Sequence, residues 1–252
     1  MVRNILIVIL FLLITVGGYS QRETVQNLPE YDYEPYHFGF LLGVNRMGFS
    51  MKQDYATLAF PNNLYPTYYQ PNTQYISTSP NAKYATLTSV EPVETTGFSI
   101  GIIGNLRLSD HFDLRAIPTL SFGERLLSYH YNEYDQFLRP IDTIPYSVSI
   151  KSTFLELPVH LKYKGNRINN ARPYIIGGGK IVYDLGNGII KHTDIYGELG
   201  AGFDFYFEWF KMGVEAKMSY GLKDIVNHNS SMYINAINRL NSKVFQLSVT
   251  FE

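Results

Sequence analysis

The sequence predicts an all-β fold, an eight-stranded antiparallel transmembrane β-barrel of outer-membrane type behind a cleaved signal peptide, and three observations predict it. From Asp194 to Phe207, Ile195, Gly197, Leu199, Ala201, Phe203, Phe205 and Phe207 alternate strictly with Tyr196, Glu198, Gly200, Gly202, Asp204 and Tyr206. A strand has a two-residue side-chain period, so one face is apolar and the other carries carboxylates, glycines and phenols. The same pattern recurs in segments near the roughly 9 to 11 residues that a tilted membrane strand needs, often with aromatic ends. The connections also alternate between short and long, as in outer-membrane barrels with short periplasmic turns and longer outside loops.

The amino terminus sets the compartment. Met1 to Asn4 carries Arg3, and Ile5 to Val16 is apolar apart from Thr15. About a dozen apolar residues are too few to span a bilayer as a helix and suit the core of a secretory signal. Gly18 and Ser20 put small residues before a cleavage that leaves Gln21 first, so residues 1–20 read as signal peptide. A retained anchor is the alternative that this length disfavours. The chain has no cysteine, which excludes a lipid-modified amino terminus and a disulfide framework. Residues 21–35 then form a periplasmic segment, and residues 36–252 form the barrel of a Gram-negative outer membrane.

The 252 residues hold 21 basic and 22 acidic side chains, a formal net charge of −1. That balance offers no basic field for nucleic acid and no acidic tail. With 21 tyrosines, 16 phenylalanines and 20 glycines and few helical periods, the composition favours strands. Mean hydropathy is close to zero, as it is when lipid-facing and lumen-facing residues alternate.

In order, the first strand runs from about Tyr36 to Met51, with Phe38, Phe40, Leu42 and Val44 outward. The second, about Gly97 to Leu108, turns Phe98, Ile100, Ile102, Leu106 and Leu108 to lipid, and Ser109, Asp110 and His111 make a tight turn. The third, from Phe112, sets Leu114, Ala116, Leu120 and Phe122 against inward Asp113, Arg115, Thr119 and Ser121. The fourth, about Ser147 to Tyr163, opposes Leu155, Leu157, Val159, Leu161 and Tyr163 to Glu156, His160 and Lys162. In the fifth, Pro173 to Asp184, Ile175, Ile181 and Tyr183 share one side, but Gly177, Gly178 and Gly179 interrupt the pattern. The sixth is the opening segment. The seventh, Phe210 to Tyr220, and the eighth, Lys243 to Phe251, repeat the alternation and end the barrel on an aromatic. A long outside loop, residues 52–96, separates the first two strands.

A soluble barrel of lipocalin type would share the alternating links, but its apolar residues would line the cavity. Here the lumen is left to Arg107, Arg115, Glu156, His160, Lys162, Glu198, Asp204, Glu215 and Lys217, with Lys180 beside them. An eight-stranded cylinder is only wide enough for its own side chains, so it passes neither folded proteins nor large solutes. These groups are expected to pair and fill the interior, because unpaired buried charge is expensive. The catalytic alternative uses His160 and Glu156 as acid and base from one strand face. No nucleophile motif, zinc spacing or phosphate-cradling loop accompanies them. The reading is therefore non-enzymatic, with no catalytic residue, cofactor, metal, nucleic acid or small-molecule substrate, and with outer-membrane lipid and envelope proteins as partners. In the long loop, Tyr55, Tyr65, Tyr68, Tyr69 and Tyr75 are candidates for partner contact, since tyrosine gives contact area at low entropy cost. Self-capping of the loop or membrane-interface anchoring explains them equally.

Asn27, Leu28, Pro29, Tyr31 and Asp32, then Pro35, His37, Phe38, Gly39, Phe40, Gly43, Val44 and Asn45, resemble the opening of PorT-type outer-membrane proteins of Bacteroidetes. Glu156 to Tyr163 and the run Pro173, Tyr174, Gly177, Gly178, Gly179 are similar to that family too. The resemblance implies an integral outer-membrane component needed for type IX secretion, with no catalytic residues to carry over. A stand-alone barrel for adhesion or envelope integrity is the second class.

Overall fold

The structure, a computed structural model, describes residues 25–53, 64–66, 82–186, 192–225 and 237–252. Its strands are β1 (Tyr36–Gln53), β2 (Leu64–Pro66), β3 (Tyr84–Arg107), β4 (Phe112–Ala116), β5 (Thr119–Tyr134), β6 (Pro140–Lys164), β7 (Ala171–Asp184), β8 (Thr193–Tyr206), β9 (Lys211–Gly221) and β10 (Ile237–Phe251). Every pairing is antiparallel, and the sheet closes because β1 pairs with β10 on one side and β3 on the other. Of these ten strands, β2 pairs only with β3 among the described residues, and β4 and β5 are one stave broken at Ile117 and Pro118; the ring therefore has eight staves. The break follows from Pro118, which has no N–H to give the ladder. Its neighbours keep their bonds: Ile117 N donates to the Pro158 carbonyl at 3.1 Å, and Ile102 N to the Pro118 carbonyl at 3.0 Å.

Closure matters because hydrocarbon offers no partner to an open sheet edge. The side chains alternate as the sequence directs. On β6, Leu155, Leu157, Val159, Leu161 and Tyr163 are exposed while Glu156, His160 and Lys162 are buried. On β8, Leu199 is 70% exposed and Glu198 5%. The glycine-broken β7 keeps the same order, Ile175, Ile181 and Tyr183 outside and Lys180 and Asp184 inside. A continuous apolar belt of this size facing outward is a lipid surface. Trp209, in the turn between β8 and β9, is fully outward beside a Phe207–Phe210 stack with centroids 4.9 Å apart, as an interfacial anchor is.

Two expectations are corrected. Tyr84 to Thr96, placed in the long loop, is strand, so β3 continues well past the belt with β5 and β6. Residues 123–146, read as one of the long outside connections, between the third and fourth strands, are a hairpin turning at Asp135, whose Oδ1 accepts from Phe137 N at 2.8 Å and Arg139 N at 2.9 Å. Beyond the lipid there is no reason for one strand face to be apolar, so the two-residue signal fades while the backbone ladder persists. The proposed signal peptide, residues 1–20, lies outside the described residues.

Candidate functional site

Eight of the nine residues assigned to the lumen are buried there: Arg115, Glu156, His160, Lys162, Glu198, Asp204, Glu215 and Lys217. Arg107 is the exception. It sits at the short-turn rim, ion-paired with Asp110 and donating to the Tyr33 carbonyl at 3.4 Å, because the strand ends there and its side chain emerges from the lumen.

The charges assigned to the lumen and buried there are matched. Arg115 Nη1 lies 2.9 Å from Glu215 Oε2, Lys162 Nζ 2.6 Å from Asp204 Oδ2, and Lys180 Nζ 2.8 Å from Glu156 Oε2. Glu198 is the hub: His160 Nε2 is 2.5 Å away, Ser219 donates at 2.5 Å, and Lys180 and Lys217 stand at 3.5 and 3.7 Å. Toward the outer end, Arg125 pairs with Asp184 at 3.2 Å between the rings of Phe49 and Phe154, 4.7 and 4.8 Å from its guanidinium. Apolar plugs flank this network, one of Met47, Phe154, Val182, Tyr196 and Val244, the other of Leu41, Ile103 and Ile117. The wall is held apart so that long side chains can meet across it, and the lumen is a packed interior rather than a channel.

His160 and Glu156 do not come together. Glu156 is taken by Lys180, and His160 by Glu198, with His160 and Glu198 both fully buried. The acid-base pair suggested by their shared strand face is thus dissolved by cross-strand partners. Residues not singled out for the network also belong to it: Arg125, Asp184, Lys164, which lies 2.7 Å from Asp113, and Glu252, 2.7 Å from Lys211. Each is in phase with the inward positions of its strand, so extending the two-residue period by one or two steps would have found them.

Residues 25–35, the described part of the segment read as periplasmic, are not a loose tail: they cross the short-turn mouth as a strap. Arg167 donates to the carbonyls of Asn27 and Leu28, Asn27 N donates to Asn170 Oδ1 at 2.9 Å, and Asp32 accepts from Tyr206 Oη at 2.9 Å. Tyr31 stacks on His37 with centroids 3.9 Å apart, above Lys211 and Glu252. Burial raises the Tyr31 phenol well above its usual range, outweighing the lowering by Lys211. Burial alone would raise the Glu252 carboxyl, but Lys211 overrides it and holds that carboxyl well below the carboxylate range. Leu28 adopts φ 50° immediately before Pro29, a conformation disfavoured for a branched residue in that place.

Of the tyrosines proposed for partner contact, Tyr55, Tyr68, Tyr69 and Tyr75 lie outside the described residues. Tyr65 is in β2, its backbone paired with Ala85.

Three solved structures are similar in fold. Neisserial surface protein A is 10% identical with a TM-score of 0.41, the match covering 86% of this chain and 98% of that one. The outer membrane protein OprG from Pseudomonas aeruginosa is 11% identical, TM-score 0.31, over 84% and 92%. The translocator domain of the autotransporter NalP from Neisseria meningitidis is 9% identical, TM-score 0.31, over 85% and 88%. No curated protein matches the chain in sequence. Residues 20–227 match the family described as outer membrane protein beta-barrel domain. With a closed eight-stave ring, a greasy exterior and a charged, sealed lumen, the chain belongs to that family and is an outer-membrane β-barrel protein.

Proposed function

We propose that this barrel is an accessory, non-enzymatic component of type IX protein secretion that works by contact with other envelope proteins. The observation that carries the reading is the resemblance of Asn27 to Asp32 and His37 to Asn45 to PorT-type proteins. In the structure those residues are the strap and the stave beside it. A lumen whose charges are spent on one another favours contact over conduction or catalysis. Deleting the gene is expected to stop export of cargo bearing the carboxy-terminal sorting domain; unchanged surface delivery overturns the role.

A second reading, a stand-alone barrel for adhesion, is favoured by the extension of β3, β5 and β6 beyond the lipid belt. Co-purification with the secretion machinery from detergent-solubilised membranes separates the two: adhesion alone needs none.

A further inference from the structure

Between the strap and the short turns lies a cavity of about 310 Å³, whose charged wall is Arg107, Arg167, Arg172, Asp32 and Asp110. The three arginines differ in what they have left to give. Arg167 is spent on the strap and the turn: it donates to the carbonyls of Asn169, Leu28 and Asn27 and to Asn170 Oδ1, and lies 3.8 Å above the Tyr206 ring. Arg172 donates through Nε to the Gly165 carbonyl at 3.0 Å and stands 2.9 Å from Asp32 Oδ1. Arg107 is bound to Asp110 and the Tyr33 carbonyl, yet its Nε is buried with no acceptor among the described residues.

Two features point to a ligand. Three guanidinium groups face two carboxylates, which leaves one positive charge in a small, half-enclosed space. The buried Arg107 Nε is a donor left without an acceptor, an unfavourable state for a desolvated N–H. A monoanion balances the charge and, once the Arg107 side chain turns its Nε toward the cavity, gives that donor an acceptor, whereas a phosphate dianion overshoots the balance and is repelled by Asp32 and Asp110. A planar carboxylate also matches the guanidinium fork. The volume is at the low end for ligand sites, so it admits a side chain rather than a large molecule. The strained Leu28 shows that the strap is held in place by the barrel rather than by its own preference.

We propose that this cavity docks a carboxylate from an acidic segment of a periplasmic protein, with Arg107 and Arg172 as its ligands. This deepens the contact role proposed above and rests on it for the nature of the partner.

The test uses the mature protein in nanodiscs, titrated with a labelled hexapeptide containing Asp and Glu, with its Asn and Gln counterpart, and with inorganic phosphate as competitor. The acidic peptide is expected to bind saturably, its amide counterpart about tenfold or more weaker, and phosphate to leave it bound. Arg107→Gln is expected to weaken the acidic peptide by a similar factor. Equal binding of the two peptides, no binding at millimolar peptide, or displacement by phosphate each overturns the proposal, and the wild-type comparison decides even if the variant folds poorly. Failure here with cargo export still lost on gene deletion removes the pocket and leaves the secretion role; peptide binding with export intact does the reverse.

Discussion

His160 Nε2 and Glu198 Oε2 are 2.5 Å apart although their strands are not neighbours. In register they flank Gly178, which pairs with His160 on one side and Glu198 on the other. A Cβ at Gly178 would lie 2.1 Å from the Val159 carbonyl oxygen and 2.9 Å from His160 Cα, both backbone atoms that cannot swing away. Gly178, in the run that blurred the strand pattern in the sequence, is therefore what lets a histidine and a glutamate meet over the strand between them.

Removing the hub is expected to be costly. Glu198→Ala leaves His160, Lys180 and Lys217 without their shared carboxylate, and breaking a buried pair in this way costs about 3 to 5 kcal/mol. Gly178→Val, by overpacking against backbone, costs about 1 to 3 kcal/mol. Urea unfolding in micelles, followed by fluorescence of the single Trp209, measures both, and near-wild-type midpoints contradict the network.

The packed lumen predicts electrical silence. Purified protein in planar bilayers is expected to show no sustained open-pore current, because Arg115 and Glu215 are fully buried and the apolar plugs close the section around them. Steady conductance of porin size contradicts this packing.

The exterior predicts an inverted response to charge. Leu199→Arg places a cation on the lipid wall, where Leu199 is among the most exposed apolar residues, and is expected to cost about 2 to 4 kcal/mol near mid-depth. Leu199→Phe is expected to be nearly neutral. Folding assays into vesicles report the difference; equal tolerance of both argues that the wall faces water.

The strap predicts an acid sensitivity. Glu252 has a lowered folded value, so its ion pair with Lys211 contributes stability above the ordinary carboxylate value of about 4.3, and that contribution is lost as pH falls through the lower folded value. The urea midpoint of the wild type is expected to fall on acidification below about pH 4 by more than that of Glu252→Gln. Identical profiles contradict the pairing.

The sequence by itself determined the compartment class, the strand alternation and which face meets lipid, because those depend on a two-residue period that each strand carries alone. It placed Arg115, Lys162 and Glu215 in the lumen for that reason. It did not determine that Glu156 pairs with Lys180 while His160 pairs with Glu198, that Arg107 emerges at the rim, or that Asn27 to Asp32 folds back across the mouth. Those contacts join residues distant in the chain. They are fixed by the stagger between staves on closure, a property of the ring that no single strand contains.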